Sequence, residues 1–264
     1  MSDQTSVDSR ISFVHSLLWS WGGATVFYTI LPLPHHWPLN FDRMARWASL
    51  IGIMLGGGLA LVGMGLRGLG MPPLPLAVGI VVLGLWWTGG LHFDGAMDTA
   101  DGLAVLEPER RLGVMRDSAT GAFGVMGAIA LFALKVSALA SLSDGFWLLP
   151  VVMGWGRWGQ GVAIARYPYL HATGKGAIHK ETFKVPQDLI FGLVFLLILL
   201  ALQISLDKEK YLLILIAHCC AALLSLGLGA WLARQLGGHT GDSYGAIVEW
   251  TEAIALFAFT LTGG

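Results

Sequence analysis

The segment Asp94-Gly-Ala-Met-Asp98-Thr-Ala-Asp101, with Gly102 next, directly follows a stretch of uncharged, apolar sequence. On a helix with 3.6 residues per turn, offsets of 0, 4 and 7 fall within an arc of roughly 60°, so three carboxylates share one face. Three adjacent negative charges beside an apolar span need a counter-ion. A hard divalent cation such as Mg²⁺ suits them, because it takes oxygen ligands from a few carboxylates and fills its remaining positions with water and substrate phosphates. Asp94, Asp98 and Asp101 are therefore the expected metal ligands.

Three further segments carry groups that phosphoryl transfer needs. Arg110, Arg111 and Arg116, in the run that ends Arg116-Asp117-Ser118, could neutralise phosphate oxygens by bidentate contacts. Arg110 and Arg111 read equally well as a membrane stop signal, whereas Arg116-Asp117 directly precedes an expected helix whose N-terminal N–H groups favour anions. Lys175, His179, Lys180 and Lys184, with Gly174 and Gly176, form a basic loop that becomes a clamp beside an anionic substrate. In Gly237-Gly238-His239-Thr240-Gly241-Asp242, backbone N–H groups can approach a phosphate, and Asp242 shares a helix face with Glu249 at i+7. Glu249 and Arg157 stand in apolar segments, where an ionisable side chain is costly and marks function by default. For Arg157 a structural ion pair with one of the acids is an equal reading. Lys135 follows an apolar run and could snorkel, and His92 reads as a base, a ligand or a local hydrogen-bonding group.

The elements that must position these groups follow from composition. Of 264 residues 55 % are hydrophobic and only 12 % charged, and the mean hydropathy is +0.67. Soluble chains carry about 25 % charged residues, so this is an integral membrane protein. Apolar windows long enough for a bilayer core of roughly 30 Å lie near 14–33, 47–66, 74–91, 121–142, 146–166, 187–206, 211–233 and 244–262. The expected fold is all-α, a single polytopic membrane bundle over 1–264 with about seven to eight transmembrane or re-entrant helices. Pro32 and Pro34 end the first span, which reads as crossing or re-entrant. The glycines suit close helix packing in lipid, and Gly56-Gly57-Gly58 is read as such packing, not as a phosphate loop. Adjacent Cys219 and Cys220 in an apolar span are expected to be ordinary buried cysteines. The polar first residues, with a single Arg10 and no small-residue cleavage pattern, suggest no removable signal peptide. A net charge of −1 with no basic arm argues against a nucleic-acid partner.

With eight spans the loops alternate sides. The odd loops hold Arg43, Arg46, Arg110, Arg111, Arg116, Arg166, Lys175, Lys180, Lys184 and Arg234, and the other side holds Arg10, Arg67, Lys208 and Lys210. That bias puts the odd loops in the cytoplasm. The loop after the aspartates, the loop 167–186 and the turn 235–243 would then share one compartment.

The pattern Thr88-Gly-Gly-Leu-His-Phe-Asp94-Gly-Ala-Met-Asp98-Thr-Ala-Asp101-Gly102, then Arg116-Asp117-Ser118 with Gly121 and Gly124, then Thr240-Gly241-Asp242 with Gly245 and Glu249, resembles the cobalamin synthase family, the adenosylcobinamide-GDP ribazoletransferases. Leu31-Pro-Leu-Pro34, Lys135 and Arg157 extend the resemblance over most of the chain. It implies a membrane enzyme in which the 5′-hydroxyl of α-ribazole, or of its 5′-phosphate, attacks the cobinamide-linked phosphorus of adenosylcobinamide-GDP and GMP leaves, with Mg²⁺. On that reading Asp94, Asp98 and Asp101 hold metal and diphosphate, and one of them or Asp242 accepts the proton. Arg116, Asp117, Ser118, Arg157, Lys175, Lys180 and Glu249 contact or orient the substrates. A CDP-alcohol phosphotransferase and an ion-coupled transporter are the rival readings; the former expects Ala-Arg where Met97-Asp98 stands. A homo-oligomer is left open.

Overall fold

The computed structural model describes residues 16–142, 144–171 and 175–262, and the apolar windows become helices. They are α1 (16–28), α2 (Ala48–Gly68), α3 (Pro73–Trp87), α4 (Leu91–Ala104), α5 (Pro108–Met115), α6 (Ala122–Ser141), α7 (Leu148–Arg166), α8 (Lys175–Thr182), α9 (Gln187–Leu206), α10 (Tyr211–Leu236) and α11 (Gly241–Phe259). The chain is an all-α membrane bundle. The polar segment with Arg10 lies outside the described residues.

Among the described residues five helices, α2, α6, α9, α10 and α11, are long and apolar enough to cross a membrane, and the bent pair α3–α4 makes a sixth if counted as one span. Of the eight expected spans, α7 is not among these, and α1 is described only from residue 16. The described part of α1 is only about 20 Å long at 1.5 Å per residue. Helix α7 has the length but carries Arg157, Gln160 and a series of glycines. Its position explains its composition: α2, α9, α10 and α11 pack around it and most of its residues are buried, so it faces protein instead of lipid. Helix α9, exposed along much of its surface, is apolar without interruption from Leu189 to Leu202.

Small residues set these contacts, as the glycine content suggested. A Cβ at Gly56 of α2 would lie 2.6 Å from the Leu149 carbonyl oxygen of α7, and one at Gly58 would lie 3.0 Å from the Trp87 ring of α3. Cys220 is half-buried and Cys219 exposed on α10. The expectation that both are buried fails because Cys219 falls on the outward face of a helix that is apolar all round.

The break between α3 and α4 is built by glycine. Gly89 and Gly90 have φ of 59° and 69°, a left-handed region costly for residues with a Cβ. The Gly90 N–H donates to the Leu85 oxygen at 2.9 Å, closing α3, and α4 leaves at 93°. The aspartate helix is thereby laid across one end of the bundle.

That end gathers the expected loops. Arg111 Nη1 donates to the Gln235 oxygen at 2.8 Å, Leu170 N to the His239 oxygen at 2.9 Å, and Arg43 pairs with Asp188. Lys210 meets Asp144 at 3.0 Å at the other end. Because nothing lies within 4 Å of a Cβ built at Gly90, Gly90→Ala tests the backbone alone. It should lower stability by about 1–2 kcal/mol, read as a lower Tm in detergent; an unchanged Tm would show that the bend does not depend on the left-handed residue.

Candidate active site

Helix α4 carries the three aspartates at graded depth: Asp94 is exposed, Asp98 half-buried and Asp101 buried. Asp101 is already committed. Its two oxygens each accept a backbone N–H at 2.7 Å, from Gly121 and from Gly124, at the start of α6. A carboxylate there satisfies orphan donors of the helix and meets the positive end of its dipole. The shared face expected from spacing is present, but Asp101 ties α4 to α6. Among the described residues, no three His, Cys, Asp or Glu side chains converge closely enough to hold a metal as they stand.

The acid that faces the outer part of α4 comes from α11. Thr240 caps that helix with a reciprocal box: Ser243 N donates to Thr240 Oγ1 at 3.2 Å, and Thr240 N donates to Ser243 Oγ at 2.9 Å. Asp242 follows in the first turn, where Thr240 Oγ1 donates to its Oδ2 at 3.3 Å. The helices α4 and α11 touch through glycine on both sides. A Cβ at Gly95 would lie 2.7 Å from Asp242 Cα, and one at Gly245 would lie 2.6 Å from the His92 oxygen. Asp98 consequently feels the charges of Asp94, Asp242 and Asp101. No ion pair joins Asp94, Asp98 or Asp242 to a lysine or arginine among the described residues. Clustered oxygen donors with uncompensated charge are the donor set of a hard cation.

The loop after α7 closes the site. His239 N donates to the Pro168 oxygen at 2.9 Å, and Tyr169 stacks on Tyr244 at 6.1 Å between centroids. Arg116 Nε donates to His171 Nε2 at 3.2 Å. Burial, then the Arg116 charge, holds the His171 pKa below its usual value, which suits an acceptor nitrogen; burial and the Asp242 charge push Tyr169 up. Between these elements is a cavity of about 370 Å³. Asp94, Arg116, His171 and Asp242 line its charged side, and His92, Gln160, His179 and Tyr244 its buried side.

Several expected substrate residues are placed elsewhere. Glu249, two turns deeper on α11, accepts from Lys135 Nζ at 2.6 Å; Glu252 accepts from Lys135 at 2.6 Å and from Arg157 at 2.9 Å. All four are buried around a separate cavity of about 40 Å³. The ion-pair reading of Arg157 holds, and Glu249 belongs with it, because two cations inside the bundle need two acids. Arg157 reaches the site only through His92, with Nη2 3.5 Å from Nδ1. The Lys180 ammonium is occupied by the α7 end, donating to the oxygens of Ile164 at 2.6 Å and Tyr167 at 2.8 Å, where a cation meets the negative helix terminus. Asp117 and Ser118 sit on the exposed turn after Arg116, with Asp117 accepting from Ala119 N at 3.0 Å. Lys175 begins α8, and its side chain lies outside what the structure describes.

Sequence reasoning passed over Glu252, Tyr169, His171 and Tyr28. Glu252 had a signal: Lys135 and Arg157 demand a second acid, and it stands three residues beyond Glu249. The aromatic and histidine positions had none in the sequence alone.

A family model described as Cobalamin-5-phosphate synthase matches residues 20–260. A Synechococcus protein named adenosylcobinamide-GDP ribazoletransferase is 50 % identical over 240 residues, covering 90 % of this chain and 94 % of its own length. Trichormus variabilis and Prochlorococcus marinus proteins of the same name are 48 % and 35 % identical, over 89 % and 90 % of this chain and 94 % of their own length in each case. No solved structure matches the chain.

Two predictions separate the roles of these acids. Asp101→Ala should cost about 1–2 kcal/mol of stability by orphaning the α6 donors, whereas Asp98→Asn should leave Tm unchanged and remove turnover; equal Tm losses for the two would undo this division. Glu252→Gln, which disturbs two buried cations, should destabilise by about 3–5 kcal/mol, and Glu249→Gln by clearly less, since Lys135 keeps Glu252. Thermal unfolding in detergent checks the order.

Proposed function

Because the chain belongs to the cobalamin-5-phosphate synthase family, we propose that it is an adenosylcobinamide-GDP ribazoletransferase, joining the cobinamide phosphate of adenosylcobinamide-GDP to a ribose hydroxyl of α-ribazole or of its 5′-phosphate. The acceptor is a secondary ribose hydroxyl and not the expected 5′-hydroxyl, because the 5′ oxygen of the 5′-phosphate is already esterified and stays so in the product. A new oxygen–phosphorus bond forms, the bond to GMP breaks, and the hydroxyl proton passes to a base; the products are adenosylcobalamin, or its phosphate, and GMP. The observation that carries the reading is the meeting of two unpaired acids, Asp94 and Asp242, with Arg116 at one cavity, and of Asp98 one turn along α4 within reach of both acids' charge.

Phosphoryl transfer is catalysed mainly by alignment and charge neutralisation. Asp94 and Asp98 would hold Mg²⁺, with Asp101 fixing the helix that carries them. When bound, the ion supplies Lewis-acid charge neutralisation to the diphosphate. Arg116 clamps a diphosphate oxygen from the opposite side, and its bond to His171 orients the guanidinium. Asp242 is the base we assign to the acceptor hydroxyl, since it lines the cavity and faces α4. Asp117 and Ser118 border the diphosphate on the Arg116 turn, and Lys175 would add a cation from the start of α8. The excess of basic residues on the loops at this end supports an orientation toward the cytoplasm of a bacterial inner membrane, where nucleotides and Mg²⁺ are found.

The test is turnover by the purified chain in detergent with Mg²⁺. GMP should be released from adenosylcobinamide-GDP only when α-ribazole or its phosphate is present, with the corresponding cobalamin formed in equal amount. EDTA should stop the reaction and Mg²⁺ restore it. Release of CMP from a CDP-linked lipid, or no nucleotide release from folded protein, would replace this assignment.

A further inference from the structure

The buried side of the cavity holds a set of polar atoms that the reaction above does not use. His92 Nε2, both ring nitrogens of His179 and the Tyr244 hydroxyl have no hydrogen-bond partner, and Gln160 Oε1 and the Tyr28 hydroxyl behind it have at most each other. These side chains are at most 3 % exposed. Buried polar groups are nearly always paired, because an orphaned one carries its full desolvation cost. Four of these residues, from α4, α7, α8 and α11, line one space, and Tyr28 of α1 stands behind them.

The same residues are mostly flat rings. Tyr28 stacks on His92 at 5.8 Å and on His179 at 6.0 Å. The wall is uncharged at neutral pH as well as aromatic, since burial pushes His179 down to about 4. Rings that stack and polar atoms set to bond the edge of a planar group are how proteins seat an extruded nucleobase.

Resting on the transferase reading, we propose that this inner wall is the seat of the guanine of the nucleotide-activated substrate. Guanine offers acceptors at O6, N7 and N3 and donors at N1 and N2, enough to engage the set of orphaned atoms. A dimethylbenzimidazole has one free ring nitrogen and two methyl groups, and would leave most of them unpaired. Size agrees, because a cavity of about 370 Å³ admits a nucleotide-sized group and leaves a corrin outside. With guanine inside, the diphosphate lies at Asp94, Arg116 and Asp242, GMP departs inward, and the attacking hydroxyl approaches from the open side, in line.

The test is equilibrium binding to the full chain in detergent with Mg²⁺, by calorimetry, using GMP, IMP, AMP and α-ribazole. The unaltered protein should bind GMP at least tenfold more tightly than AMP, with IMP between them. Gln160→Leu and Tyr244→Phe should each weaken GMP about five- to tenfold and leave α-ribazole affinity unchanged. Tyr244→Phe keeps the ring and removes an unpartnered hydroxyl, so its Tm should be equal or higher, which separates a binding loss from misfolding. Equal affinity for GMP and AMP, or variants that weaken α-ribazole instead, would overturn the guanine seat. Normal transfer with base-indifferent nucleotide binding would remove the seat and leave the reaction standing; guanine-selective binding without transfer would do the reverse.

Discussion

A charge inside a membrane bundle must find its opposite there, and this requirement organises the protein. Lys135 of α6 and Arg157 of α7 are answered by Glu249 and Glu252 of α11, two cations by two acids, at 2.6–2.9 Å. Removing one acid from such a set leaves the two buried cations to share the other. The lock therefore fixes α6, α7 and α11 against one another, and Arg157 extends it to α4 through His92. Asp94 and His92 on α4, Gln160 on α7 and Asp242 on α11 all project from helices whose relative positions depend on it. At the loop end the balance is broken: Asp94, Asp98 and Asp242 stand together with no paired cation among the described residues. Balanced charge marks the scaffold and unbalanced charge marks the site.

Helix α4 is held at both edges by contacts that tolerate almost no change in side-chain size. Gly95 and Gly245 bring its backbone against α11, while Asp101 reaches the α6 start across Gly121 and Gly124. The three aspartates share a face, as their spacing requires, yet depth divides them. The innermost spends both oxygens on a helix terminus, and the outer two keep theirs for solvent or ligand.

Much of this was legible in the sequence, and the limits have a physical pattern. The helices and the common end of the odd loops followed from apolar length and alternation, and the aspartate face from a period of 3.6. What periodicity cannot carry is the partner of a side chain. Lys180 and Glu249 look like ligand groups because each is a charge without a visible neighbour in sequence, and their partners lie 16 and 114 residues away. Helix α7 reads as an ordinary span until its surroundings are known, because Arg157 and Gln160 are tolerable only where other helices replace lipid. The ring-lined wall was the least legible part, since its residues come from five helices and none forms a motif.

The two sides of the cavity differ in a way that orders how the proposed substrate enters. A diphosphate loses far more than a neutral base when it leaves water. It is therefore most stable at the end of the bundle, where Arg116 is exposed and Asp94 is open to solvent. A heteroaromatic base can go deeper, because orphaned polar atoms there are free to bond its edges and rings stand ready for its faces. Burying the base thus positions the phosphorus at the boundary between protein and water, with the leaving nucleotide inside and the face for attack outside. That alignment, set by a gradient of polarity from exposed charge to buried neutral rings, is the part of phosphoryl-transfer catalysis that a protein supplies through its fold.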